Sequence, residues 1–455
     1  MRRASMADAE NLPSMPESSY ITRFARSEEN LMRTIEGFGV EVEAEDESLR
    51  REAHIASLRD SLAARGARLR NDGKSLGFGE LSPACIRCRT GIRSVSLFLS
   101  LACGRDCWFC FNPNQHDYDR YRDALRDWRS PLDGYDAELG GLDFIALTGG
   151  EPLLHPQEAL EFIRYSWALA PESHIRLYTS GAGADAALME QLAQAGLDEV
   201  RFSVKLDDDL QQREALALME AAVRCIPSVM VEMPVIPGTR DAMVALLQKL
   251  DDIGIFGINL LELCFPLHNA AVFRERGLKL KRHPYQVPYS YGYAGALPVA
   301  GSEELALELM EDAIARGTGL SLHWCSLENK NTAQIHSQNG GGETAIPPYA
   351  FSERSFFYEM VRAFGDDALF CLSRLEAAGI AFEYSEEAAM VAFDPAALDL
   401  FEPADADAHR LWLASAVIET DGEGRRCFRE AGLCRIEPQD IAQGAIAAGC
   451  SGKRP

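Results

Sequence analysis

Val95-Ser-Leu-Phe-Leu-Ser-Leu-Ala-Cys103-Gly-Arg-Asp-Cys107-Trp-Phe-Cys110 is the stretch that decides how the rest of this chain is read. Val95, Leu97, Leu99 and Leu101 recur at alternate positions, the period of a strand with one apolar face. Directly behind them stand three cysteines in the spacing C-x3-C-x2-C. Three thiolates so close on one loop can hold three irons of a cubane cluster. No fourth cysteine lies on that loop, which leaves one iron open to a small molecule. An open position marks a catalytic metal centre rather than a structural one. A zinc loop is the competing reading of the three cysteines alone.

Working downstream, short apolar runs follow at Phe144–Leu147, Ile175–Tyr178, Val200–Val204, Val229–Met233 and Ile258–Leu263. Helical patterns lie between them. One spans 184–195, with Leu188 and Leu192 on a face and Gly196 at its end. Another follows Thr239, with Val244, Leu247 and Leu250. A third is N-capped by Ser302 and presents Ala306, Leu309, Met310, Ala313 and Ile314 on one side. Strands alternating with helices imply right-handed βαβ units and a parallel sheet. Six or seven units in line suggest an α/β fold, a partial (β/α)6-type TIM-like barrel, in which chemistry sits on the loops after the strands.

Three regions follow: an N-terminal helical extension (1–84), the core domain (85–339) and a small C-terminal α+β domain with a disordered tail (340–455). In the first, Glu41, Glu43, Glu45, Asp46 and Glu47 read as a solvated loop or helix start. Gly340, Gly341 and Gly342 mark the break before the last region. There, helices are expected at Glu353–Phe364 and Ala368–Ala378, and strands at Leu411–Glu419 and Arg425–Phe428 around the hairpin signal Asp421-Gly422.

The cysteine motif, with Phe109 before its third cysteine, resembles that of the radical S-adenosylmethionine (radical SAM) superfamily. That resemblance implies a [4Fe–4S] cluster on Cys103, Cys107 and Cys110, with SAM on the open iron. Reductive cleavage then gives a 5′-deoxyadenosyl radical that abstracts hydrogen from a substrate. Phe109 would lie beside the adenine. Thr148-Gly149-Gly150-Glu151-Pro152 resembles the superfamily's GGEP motif, which implies backbone carbonyls and a carboxylate around the SAM amino group. Only glycine lets backbone approach a ligand so closely. Tyr178-Thr179-Ser180-Gly181 is similar to a strand end seen in relatives, with Thr179 facing the ligand; a plain turn is the alternative. Ser203-Val204-Lys205 is similar to the pair that pyruvate formate-lyase activating enzymes set near the SAM ribose and carboxylate. Lys205 would pair with that carboxylate, against a surface lysine as the alternative. Pro234-Val235-Ile236-Pro237-Gly238-Thr239 resembles a segment of the same enzymes, and Glu232 before it is paired or functional. His268, in Glu262-Leu-Cys-Phe-Pro-Leu-His268, matches a SAM-contacting histidine displaced by one residue, or is an ordinary loop histidine.

Cys85-Ile-Arg-Cys88 is a chelating pair by spacing, and resembles one found in a branch related to the activating enzymes. With Cys325, and His323 beside it, it suggests a second metal site for zinc or an auxiliary iron–sulfur cluster. Cys225, Cys264 and Cys371 sit in apolar patterns and read as buried thiols.

Composition narrows the partners. The 455 residues carry 45 Lys and Arg against 69 Asp and Glu, a net charge of −24. Binding to a phosphate backbone needs a basic footprint, so a nucleic-acid partner is not expected. No apolar run is long enough to span a membrane and no signal peptide opens the chain, so a cytoplasmic protein is expected. Its cysteines then serve metals before disulfides. The expected partners are SAM, a low-potential electron donor such as flavodoxin or ferredoxin, and a substrate. A protein or peptide substrate, as for an activase or peptide-modifying enzyme, competes with rearrangement of a small metabolite. A non-catalytic metal-binding interaction protein is the alternative of another class.

Overall fold

The computed structural model describes residues 17–285, 296–340, 347–420 and 422–442. Two compact units emerge, Phe38–Pro284 with Tyr291–Asn331, and Met1–Gly37 with Tyr285–Ser290 and Thr332–Pro455. The boundaries expected at 84/85 and 339/340 therefore move. Residues 38–84 are part of the larger body, because Ile55, Leu58 and Leu62 of helix Glu45–Ala64 are buried in its core.

The strands of that body are β1 (Arg68–Arg70), β2 (Ser75–Phe78), β3 (Ser94–Phe98), β4 (Phe144–Thr148), β5 (His174–Thr179), β6 (Glu199–Phe202), β7 (Ser228–Val235), β8 (Gly257–Glu262), a separate short pair β9 (Cys264–Phe265) and β10 (Leu297–Pro298), and β11 (Ser321–Cys325). The main sheet has the order β1-β2-β11-β8-β7-β6-β5-β4-β3. From β3 to β8, and on to β11, neighbours are parallel and follow chain order. Helices such as Pro156–Leu169, Asp209–Ala222 and Arg240–Ile253 fill the crossovers. This is the βα array read from the sequence.

At its far side β1 and β2 add an antiparallel hairpin to β11, so the lead-in is not helical throughout. Asn71 and Asp72, both at positive φ, make its turn with Gly73. The acidic run does start a helix at Glu45, with Glu41, Glu45 and Asp46 exposed, but two of its carboxylates are tied down. Glu43 is buried and accepts from Arg51 Nε at 3.1 Å, while Glu47 accepts from Lys279 Nζ at 2.9 Å. Ser302 does not cap its helix, whose N-cap is Gly301. Its hydroxyl instead donates to Val235 O (2.7 Å) and accepts from Leu263 N (2.8 Å), tying the ends of two strands.

The parallel strands alternate sharply. Ile175, Leu177, Val200, Phe202, Val229, Val231, Ile258, Leu260, Leu322 and Trp324 join the helices in one apolar core. The intervening side chains include Arg176, Tyr178, Glu199, Arg201, Glu232, Asn259 and His323, so the face turned from the helices is polar. Such groups are tolerated inside only when paired. Arg201, 4% exposed, donates to Glu199 (2.6 Å), Glu232 (2.7 Å) and Ser82 Oγ (3.0 Å). Asn259 Nδ2 donates to Glu232 at 2.7 Å.

The smaller unit carries β12 (Ala350–Phe351), β13 (Tyr358–Phe364), β14 (Phe382–Ser385), β15 (Met390–Phe393), β16 (Trp412–Thr420) and β17 (Arg426–Arg435) in an antiparallel sheet of order β14-β15-β13-β16-β17, with β12 on β13. The helix expected at Glu353–Phe364 is thus a central strand. Its residues are buried on both faces: Val361 and Ala363 against helix Gly365–Ala378, Met360 and Phe364 with Phe24. An element buried on both sides has no exposed face whose period would separate strand from helix. Asp421, Gly341, Gly342 and the expected tail lie outside the described residues.

Candidate functional site

The cysteine loop leaves the open end of β3 and is fastened at several points. Leu101 N donates to Tyr121 O (2.7 Å), and Arg105 Nη1 donates to Asp208 Oδ2 (2.7 Å). Asn269 Nδ2 donates to Trp108 O (3.1 Å), and the Trp108 ring meets Phe109 and Phe273 edge-on at 5.0 and 4.9 Å. Cys103 is exposed, and Cys107 and Cys110 are half-buried; all are free thiols. Burial raises the thiols of Cys103 and Cys110 above their ordinary value. A bound metal reverses that, because a coordinated thiol is deprotonated outright.

Gly149 and Gly150 pack on the root of this loop. Gly149 has φ +130°, and a Cβ there would lie 2.5 Å from Ser100 O; one on Gly150 would lie 1.9 Å from Ala102 O. Gly150 N donates to Ser100 O and Glu151 N to Ala102 O, at 3.1 and 2.7 Å. The glycines therefore bring the two loops together, and Asn112 Nδ2 closes the junction by donating to Gly149 O at 2.8 Å. Glu151 is tied to its neighbours in this structure. Its Oε1 accepts from Thr179 Oγ1 (2.6 Å) and Leu153 N (3.1 Å), and its Oε2 from Ser180 N and Oγ (both 2.6 Å). All lone-pair positions of the carboxylate are in use. Glu151 and Thr179 thus lock the ends of β4 and β5, leaving backbone groups to face a ligand. Pro152, buried, opens the short turn Pro152–Leu154 and does not line the cleft.

The next strand ends are held by a residue the sequence reading passed over. Gln211 is buried, and its Nε2 donates to Ser180 O (2.9 Å) and Ser203 O (3.0 Å) while its Oε1 accepts from Lys205 N (2.8 Å). The backbone at Ser203 and Lys205 is fixed by this one amide. Lys205 Nζ stands 5.0 Å from the Phe109 ring centroid, a cation–π contact. His268 sits between Leu267 and Asn269, both at positive φ, with its Nδ1 3.2 Å from Asn114 Oδ1.

One cleft of about 320 Å³ joins these parts. Cys103, Cys107, Phe109, Cys110, Gly149, Gly150, Glu151, Thr179, Ser203, Lys205 and His268 all line it. Tyr178, Arg201, Glu232, Glu262, Cys264 and Lys330 line it too, from the polar face of the strands. Cys264 is therefore half-buried beside the cleft rather than sealed in an apolar core. Arg201, Gln211 and Lys330 belong to no motif. The visible sign of Arg201 was its polar side chain at an alternate position of a strand.

Cys85, Cys88 and Cys325 do not meet as one ion would require. Among the described residues, the only three metal-capable side chains with ligand atoms within 4.8 Å of one another are His54, Glu304 and Glu308. Cys85 Sγ instead accepts from Asn259 Nδ2 (3.3 Å) and Arg201 Nη2 (3.4 Å), and Cys325 Sγ accepts from Asn329 Nδ2 (3.2 Å). His323, buried and pushed down to about 4 chiefly by burial, has its Nδ1 3.0 Å from Asn259 Oδ1. Cys103, Cys107 and Cys110 are also wider apart than one ion allows. The thiolates of a cubane sit on separate irons and need that width.

Residues 97–250 match the family model described as the radical SAM superfamily. A candidate glycyl-radical enzyme activating enzyme of Methanocaldococcus jannaschii is 24% identical over 308 residues, 64% of this chain and 76% of that protein. The PqqA peptide cyclase of Xanthomonas campestris is 35% identical over 112 residues, 25% of this chain and 28% of the cyclase. Among solved structures, SuiB of Streptococcus suis bound to its precursor peptide aligns with TM-score 0.35 and 14% identity, covering 52% of this chain and 50% of that one. No described helix is long and apolar enough to cross a membrane.

Proposed function

We propose that this chain, which belongs to the radical SAM superfamily, holds a [4Fe–4S] cluster on Cys103, Cys107 and Cys110 and binds SAM in the adjoining cleft. The observation that carries the proposal is the junction at Gly149 and Gly150. Two loops meet there at a distance only glycine permits, with three free thiols on one side and an open cleft on the other. The donor set suits the group, since soft thiolates select iron–sulfur clusters. When bound, the cluster would pass one electron from a low-potential donor to SAM, which would give methionine and a 5′-deoxyadenosyl radical able to take hydrogen from a substrate.

The chain's own work is binding and orientation. Phe109 offers a ring face for the adenine, with Lys205 beside it. Lys205 has no carboxylate partner among the described residues, which suits it to the SAM carboxylate. Backbone carbonyls of the Gly149–Gly150 turn accept from the SAM amino group, because Glu151 is spent on Thr179 and Ser180. Ser203 and His268 complete the rim.

We further propose a protein or peptide substrate, as for an activating or peptide-modifying enzyme. Support comes from the two curated relatives named above and from the additional antiparallel sheet. Cys103 is an exposed residue, which gives a low-potential donor such as flavodoxin or ferredoxin an approach to the cluster.

Anaerobic reconstitution followed by reduction in the presence of SAM tests the reading. Four irons per chain and release of 5′-deoxyadenosine and methionine are expected. A fully loaded cluster that leaves SAM intact would return the chain to the class of metal-binding interaction proteins.

A further inference from the structure

Lys330 stands on helix Leu327–Gln338, just after β11, and lines the same cleft as the cysteine loop. The other buried charges there are spent on neighbours. Arg201 is shared between Glu199 and Glu232, Glu262 pairs with Lys281 at 2.5 Å, and Glu151 accepts four hydrogen bonds. The ammonium of Lys330 makes no hydrogen bond and no ion pair with any described residue. An ammonium carries three donors, and Lys330 is half-buried on the cleft wall, so those donors are open to an occupant of the cleft. Burial disfavours its charged form, while the carboxylate of Glu232 on the same wall favours it, and the balance lies above the ordinary value.

We infer that Lys330 is the anchor for a carboxylate of the substrate, an assignment that rests on the function proposed above. Lys205 lies against Phe109 on the cysteine loop and is taken by SAM in that reading, so Lys330 is left for the second ligand. A singly charged acceptor fits better than a phosphate. One ammonium without a guanidinium fork or a nest of backbone N–H groups is a weak phosphate site, and Glu232 on the same wall repels a dianion. Fixing a carboxylate at this point sets which C–H bond of the substrate faces the SAM side of the cleft.

The test uses the anaerobically reconstituted full chain, with and without SAM, and two probes titrated calorimetrically. One is succinate; the other is the blocked peptide acetyl-Gly-Glu-Gly-amide, with its glutamine counterpart as a neutral control. Saturable binding of succinate or of the glutamyl peptide is expected, weakened at least about tenfold by Lys330→Met and recovered in Lys330→Arg. Binding of succinate alone assigns a small acid; binding of the peptide alone assigns a carboxylate carried on a chain. The unfolding midpoint of Lys330→Met should be no lower than that of wild type, because an unpaired charge has been removed. Equal affinity in Lys330→Met, no saturation by either probe, or a lowered midpoint in both variants would overturn the anchor. Failure of wild type to bind SAM, with Lys330-dependent probe binding intact, would instead overturn the proposed function and keep the anchor.

Discussion

Ser180 gives both its backbone N–H and its hydroxyl to one oxygen of Glu151, each at 2.6 Å. With Thr179 and Leu153 on the other oxygen, a carboxylate in a sequence motif becomes the clasp between two strand ends. Glu151→Gln puts an amide NH2 against donors, and should lower stability by about 3 kcal/mol in denaturant unfolding. Ser180→Ala keeps the backbone donor and should cost about 1 kcal/mol. Equal stability of Glu151→Gln and wild type would mean the clasp is not formed.

Gly150→Ala should separate the two loops without touching a thiol. Its Cβ would come within 1.9 Å of Ala102 O, so the root of the cysteine loop must shift. Iron content after reconstitution is expected to fall below wild type, with far-UV circular dichroism unchanged. Full iron loading in this variant would show that the close approach is dispensable.

Replacing Cys85 and Cys88 together by serine should leave zinc per chain unchanged, since their sulfurs do not converge with Cys325 at single-ion spacing; a fall in iron would place an auxiliary cluster on them instead. Cys103→Ser, Cys107→Ser and Cys110→Ser should each reduce iron. Metal analysis of the four variants decides between one centre and two.

Acid should act on Glu199 late. Burial alone would raise its carboxyl, but His174, 3.5 Å away, and the Arg201 guanidinium outweigh burial and hold it down at about 2. A carboxyl depressed in the fold contributes stability that is complete above its unfolded value near 4.5 and is lost as pH falls from there toward 2. The full amount is about 3 kcal/mol by linkage. Glu199→Gln should therefore flatten the pH dependence of unfolding within that window and leave its slope near neutrality unchanged. A parallel acid limb in variant and wild type would contradict the pairing.

Much of the larger unit was legible because its strands and helices each carry one dominant period. The strand ends were legible because a Cys-rich loop and Gly-Gly-Glu-Pro have few other uses. The antiparallel hairpin before residue 85 escaped, although Asn71-Asp72-Gly73 is a turn signal, because β1 and β2 are too short to establish a period. β13 was misread for the opposite reason: covered on both faces, it shows no alternation. Gln211 and Lys330 could not be found from sequence. A polar residue on a helix looks solvated until the neighbouring strand ends are placed, and only then does Gln211 become a three-way bridge. For Glu151, motif resemblance carries no count of occupied lone pairs, and the four hydrogen bonds it accepts come only with the structure.

The hairpin of β1 and β2 also bears on any attempt to shorten this protein. β11 finds β8 on one flank and β2 on the other. A truncated chain starting at residue 85 would strip the second flank and leave a row of backbone donors and acceptors bare. Bare strand edges recruit other strands. Such a fragment would clump with its own copies for a reason unrelated to its chemistry, and its inactivity would say nothing about the thiols.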